Sequence, residues 1–227
     1  MRAGLGQVQT MAPDSPAVRT FIEAASHMHD LRQALSALES ADAIEDTTVS
    51  GHLRVYAVVA YGRTFGSNSR PDLASFVELA VADTELTARL KVIRNRYAAH
   101  SENGMTITHP LLDLQKELDG SITIQQVSGI TVDSPMPHSF FAEFAEMLRR
   151  VIDQLQTALQ PLKDAVRTEL TAEQVVNAFD DPQPLQFVAL PVAEWEPADR
   201  RPSYPASRLS AIHMDTGEQS FRASITR

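Results

Sequence analysis

From Phe141 to Val166 the chain places a large apolar side chain every three or four residues: Phe141, Phe144, Leu148, Ile152, Leu155, Leu159, Leu162 and Val166. That near-heptad seam suits one face of a long helix and does not suit a strand, whose side chains repeat every second residue. A helix with a single apolar stripe has to bury it against other helices. The seam therefore commits the chain to bundle packing or to a helix-mediated dimer. Pro161 lies inside it, where a proline removes a backbone donor and crowds the preceding turn, so a kink or a split is expected there.

The flanking sequence supplies partners for this helix. Asp14-Ser15-Pro16 is a helix start, and Val18, Phe21, Ile22, Ala25, Met28, Leu31, Leu35 and Leu38 continue it as an apolar stripe. His27 and His29 stand two apart within it, so they face different sides, make a poor metal pair, and read as surface or partly buried side chains. Leu53, Tyr56, Ala60 and Thr64 keep a helical step through a β-branched stretch, giving a second helix from Val49 to Phe65 whose end Gly62 and Gly66 soften. Pro71-Asp72 is read as opening a third helix, buried along Leu73, Phe76, Val77, Leu79, Ala80, Leu86, Leu90, Ile93 and Tyr97 and stopping near Asn103-Gly104.

Residues 105–134 change to strand-like alternation, with Leu118-Asp119-Gly120-Ser121 as the turn of a hairpin that Pro110 makes irregular. Thr171 caps a short helix that runs to Asp180. Beyond Asp181 stand six of the thirteen prolines, and only Leu185 to Val192 has strand character. The expected fold is mainly α: an up-and-down helical bundle of four to five helices with an inserted β-hairpin and an irregular C-terminal tail. Its divisions are a flexible leader (1–13), a helical domain (14–180) with the hairpin at about 105–134, and a Pro-rich, largely extended or disordered tail (181–227).

The chain has no cysteine, which excludes disulfides and thiolate metal sites. It has no apolar run of membrane-spanning length and no apolar segment near its N-terminus like that of a signal peptide, so a cytoplasmic protein with no membrane partner is expected. A net charge of −9 argues against coating nucleic acid by bulk electrostatics. Within that acidic chain, residues 47–100 carry seven basic against four acidic side chains. No phosphate-binding loop, nucleophile elbow or zinc spacing is present, so neither metal nor cofactor is expected.

That basic segment runs into K-V-I-R-N-R-Y-A-A-H-S-E-N, Lys91 to Asn103, which concentrates the chemistry of the chain. Arg94 offers a planar fork to a phosphate, His100 titrates near neutrality, and Asn95 can orient either group. On a regular helix, residues six apart lie about 240° apart around the axis, so Arg94 and His100 do not share a face, whereas Arg96 and His100 do. For Arg94 to work beside His100, either the helix loosens at its end or a second copy completes the site. A plain alternative is that these cations only stabilise the negative end of a helix dipole. His109 and His138 flank the hairpin and read as solvated.

R-N-R-Y-A-A-H-S, closing a helix and followed by a hairpin and a long helix, resembles the HEPN superfamily. The hallmark of that superfamily is an arginine followed by a polar residue and, a few positions on, a histidine. Tyr61-Gly62-Arg63-Thr64-Phe65 is similar to a phrase of its abortive-infection branch. The resemblance covers roughly residues 14–170. It implies a homodimeric helical bundle with both arginine–histidine pairs at the dimer cleft. It also implies a metal-independent endoribonuclease of toxin or phage-defence type, leaving cyclic-phosphate and 5′-hydroxyl ends. In that reading Arg94, His100 and Asn95 are catalytic, and Arg96, Arg63, Lys91 and Ser101 bind the RNA. An antitoxin protein is a possible partner. Glu102 stands where toxins controlled by a nucleotidyltransferase carry a modified tyrosine, so control by that route is not expected. Because a fold does not fix a function, a non-catalytic HEPN-like module that binds nucleic acid or protein is the second expectation.

Overall fold

The computed structural model describes residues 8–65, 70–98, 106–118, 120–134, 137–191 and 209–214. The fold is mainly helical. Helix α1 spans Pro16–Ala43, α2 Thr47–Gly62, α3 Val81–Ile93, α4 His138–Glu169 and α5 Ala172–Asp180. Between α3 and α4 stands an antiparallel hairpin of β1 (Thr106–Lys116) and β2 (Ile122–Asp133). After α5, β3 (Gln186–Pro191) pairs in parallel with β4 (Leu209–Met214). Among the described residues, no helix is long and apolar enough to cross a membrane.

The chain divides into two compact units. The first comprises Met1–Arg32, Arg63–Glu78 and Arg150–Arg227. Its helix start is built as the sequence suggests: Ser15 Oγ accepts from the Val18 N–H at 3.2 Å and donates to Glu169 Oε2 at 2.7 Å. The same carboxylate accepts from the Ala17 N–H at 3.0 Å. Asp14 and Arg19 form a two-pronged pair that holds the exposed Asp14 carboxyl below its ordinary pKa. Thr171 caps α5 through a reciprocal box with Gln174. The leader is tied near its end, where the Met11 N–H donates to the Gln183 carbonyl at 3.0 Å.

Three expectations in this unit are corrected. Pro71-Asp72 does not open a helix: a single 3₁₀ turn, Leu73–Ser75, is followed by irregular chain to Ala80. Buried Leu73 and its N–H bond to the Thr64 carbonyl (3.0 Å) draw this segment inward, and tertiary anchoring overrides the apolar spacing. His27 is wholly buried, donating from Nε2 to the Pro71 carbonyl at 2.9 Å with Phe76 tilted beside it. Pro161 does not split α4, which loses one backbone bond in a helix of 32 residues. Arg70, buried, holds the same turn by bonding Ser26 Oγ, Asp30 Oδ2 and the Arg63 carbonyl.

The second unit comprises Gln33–Gly62 and Leu79–Arg149. Its buried residues include Leu38, Val58, Tyr61, Leu86, Leu90, Phe144, Met147 and Leu148. Thr87 donates its hydroxyl proton to the Asp83 carbonyl at 2.7 Å, so the Tyr61 hydroxyl, 2.6 Å away, donates to Thr87. Phe144 meets the Tyr61 ring edge-on at 5.3 Å. One side chain of α2 thus joins α3 and α4. The hairpin fills the expected span and carries one irregularity, though not at Pro110: Pro110 sits within β1 opposite Gly129, and the register shifts once, beside Asp113 and Leu114. Gly120, at φ +88°, makes the turn.

Burial pushes the Tyr61 phenol well above its ordinary value of 10.0. The folded state keeps a proton that the unfolded chain releases, so this contribution to stability is intact below pH 10 and declines as pH rises above it. Tyr61→Phe is expected to cost about 1 kcal/mol at neutral pH for the lost hydrogen bond. It is also expected to flatten the alkaline decline in urea-unfolding free energy. Parallel pH profiles for variant and wild type contradict this assignment.

Candidate functional site

The candidate site lies where α3 ends. Helix α3 starts without a side-chain cap, and Asp83, Leu86, Thr87 and Leu90 form its buried face. That face fixes the helix rotation, so Lys91, Val92 and Arg94 are turned outward. The Arg94 N–H still donates to the carbonyls of Leu90 and Lys91. From Arg94 to Ala98 the chain then forms a π-helical turn. A π turn closes i→i+5 bonds and holds more residues than an α turn.

Arg94, Asn95 and Arg96 are all exposed on this turn, and Lys91 is exposed one turn before it. Arg94 has a seat. A Cβ added to Gly62, the last residue of α2, falls 2.6 Å from Arg94 Cδ and 3.1 Å from its Nε. The side chain therefore crosses the bare backbone of Gly62, which leaves the guanidinium at the surface. Gly62 was read from the sequence as softening a helix end. Its actual role is close approach: the helix runs to Gly62 without a break, and the missing Cβ makes room for Arg94. Tyr61, buried one position earlier, holds this end of α2 in place.

Arg63 belongs to the first unit, where its half-exposed guanidinium lies 3.8 Å from Asp30. His100 and Ser101 lie outside the described residues. His138 sits 3.5 Å from Asp42, and His109 is an exposed strand residue.

Two further features of the second unit had no signal in the motif. Arg89 places its guanidinium carbon 4.9 Å from the centre of the Phe140 ring. Around that pair opens a cleft of about 500 Å³ lined by Arg89, Val92, Ile93, Pro137, Phe140 and Glu143. It joins an aromatic face and a cation on the helix that carries Arg94. Arg89 lies on the same amphipathic helix five residues before Arg94, and only its pairing with the remote Phe140 sets it apart.

The seat of Arg94 is open to a double-mutant cycle. Gly51 is also helical, but a Cβ there meets nothing within 4 Å. Gly51→Ala should stabilise by roughly 0.5–1 kcal/mol through the better helix former. Gly62→Ala should instead lose most of that gain, because the exposed Arg94 side chain must move off its seat. In an Arg94→Ala background Gly62→Ala should recover the full gain seen at Gly51. Urea unfolding of the four chains measures this, and additive effects contradict the contact.

Comparison with protein-family models, curated proteins and solved structures finds no significant match to this chain, so any function rests on its own residues.

Proposed function

We propose that this chain is a HEPN-like, metal-independent endoribonuclease of toxin or phage-defence type that acts as a homodimer in the cytoplasm. The observation that carries the proposal is the seating of Arg94 on Gly62 at a π turn that exposes Arg94, Asn95 and Arg96 together. An arginine whose stem is fixed on backbone presents its fork with less entropy left to lose on meeting a phosphate. Lys91, Arg94 and Arg96 are all exposed at this helix end, and three cations so close together favour an anion.

In this reading Arg94 holds the scissile phosphate and the charge that builds on it, with Asn95 in support. His100 takes the proton from the RNA 2′-hydroxyl as that oxygen forms a bond to phosphorus. The bond from phosphorus to the 5′-oxygen breaks, and that oxygen takes up a proton, leaving a cyclic phosphate and a 5′-hydroxyl. Lys91, Arg96 and Ser101 are assigned to the RNA backbone. An antitoxin that covers this helix end is the partner such an activity calls for.

Wild type, Arg94→Ala and His100→Ala, each expressed in cells and purified with chelator present, test the proposal. The wild type should arrest growth and cut RNA to the stated ends, and each variant should lose roughly 100-fold or more in cleavage rate. Equal behaviour of the three contradicts a nuclease. Retained RNA binding without cleavage by the wild type would instead fit a non-catalytic binding module.

A further inference from the structure

Among the described residues, the β1–β2 hairpin leaves a broad set of apolar side chains exposed. Among its described residues none is buried, and Leu112, Leu114, Ile122, Ile124 and Val127 are each between 54 and 68% exposed. Leu118, at the turn, is fully exposed. The register shift arranges these residues. Asp113 pairs with Gln126 and Leu114 with Ile124, so Gln125 is left as the extra residue of a bulge. Ile124 and Val127 are three apart and would fall on opposite faces of a regular strand. The bulge brings both beside Leu112 and Leu114, and Ile122, opposite Lys116, continues the same face. The half of the hairpin nearer the turn therefore carries one continuous aliphatic face.

An isolated two-stranded ribbon is marginal in water, and this one presents both edges and an apolar face to solvent. We infer that this distal face is a self-association surface: two copies of the chain pack their hairpin arms face to face about a two-fold axis, through Leu112, Leu114, Ile122, Ile124 and Val127. The area is of the right size. At these exposures the five residues and Leu118 offer on the order of 400 Å² of apolar surface per arm. A standard interface covers about 800 Å² per partner, of which about 65% is apolar in homodimers, so roughly 500 Å² is required. The charge disfavours RNA and anionic lipid, because from residue 106 to 133 the sequence has one lysine against four carboxylates. A flat aliphatic face on a chain that must meet its own copy is self-complementary without further design. The inference deepens the homodimer part of the proposed function by naming its surface, and it does not depend on cleavage.

The test uses the full chain and two measurements. Light scattering across a dilution series should show a wild-type dimer. Leu114→Asp combined with Ile124→Asp should weaken it 100-fold or more with helical circular dichroism unchanged, while Val81→Asp, an equally exposed apolar site on α3, should leave it intact. Because the chain has no cysteine, single cysteines report proximity without background. Oxidation should cross-link Ile124→Cys into dimers but not Gln126→Cys, which points from the opposite face. A dimer that survives the double substitution, or cross-links equally from both cysteines, overturns the arm and leaves the homodimer standing. A monomeric wild type at all concentrations overturns both, and loss of RNA cleavage alone touches neither.

Discussion

Everything at the candidate site depends on one contact chain, the Tyr61 hydroxyl donating to Thr87 while its ring meets Phe144. Tyr61 is the penultimate residue of α2, Thr87 lies in the middle of α3, and Phe144 lies in the first turns of α4. Because a buried hydroxyl left without a partner costs free energy comparable to the bond itself, the three helices are held in one relative position. Gly62 follows Tyr61 directly, so fixing the tyrosine also fixes the patch of backbone on which the Arg94 side chain lies. The cation is thereby positioned from the core outward.

The π turn fits this account. The α3 register is set at its start by buried Asp83, Leu86, Thr87 and Leu90, and the Arg94 side chain is set by α2. The last turn is then widened, with i→i+5 bonds in place of i→i+4 ones. A structural end cap needs none of this, since a cation placed anywhere in a last turn serves the helix dipole. The combination of a packed stem, a bare glycine and a widened turn is what separates Arg94 from Arg96, its neighbour two residues on.

Much of the fold was legible because local rules and tertiary packing agree. The seam of α4 is buried from Phe141 to Leu159, α1 begins at its expected cap, and α5 has its Thr171 box. Where they disagreed, packing won. The 71–80 stretch has helical apolar spacing, yet Leu73 and Val77 are buried from a turn pinned at Thr64, and Val81 is exposed. The hairpin was visible as alternation, but its bulge was not, since nothing in the pair Gln125-Gln126 marks one of them as the extra residue. Its parallel counterpart β4 was illegible because its pairing partner lies some twenty residues earlier.

At the site, the residue types of Arg94 and its neighbours were readable, whereas the packing partners were not, because Gly62, which seats Arg94, and Phe140, which meets Arg89, are remote in sequence. The central claim, that Gly62 seats Arg94 as an anion-binding group, is tested most directly by following arginine Nε–Hε resonances during titration with a short RNA made uncleavable by 2′-deoxy substitution. The account predicts that the Arg94 resonance shifts most in the wild type and loses that response in Gly62→Ala. An unchanged Arg94 response in Gly62→Ala, or a response confined to other arginines, contradicts it.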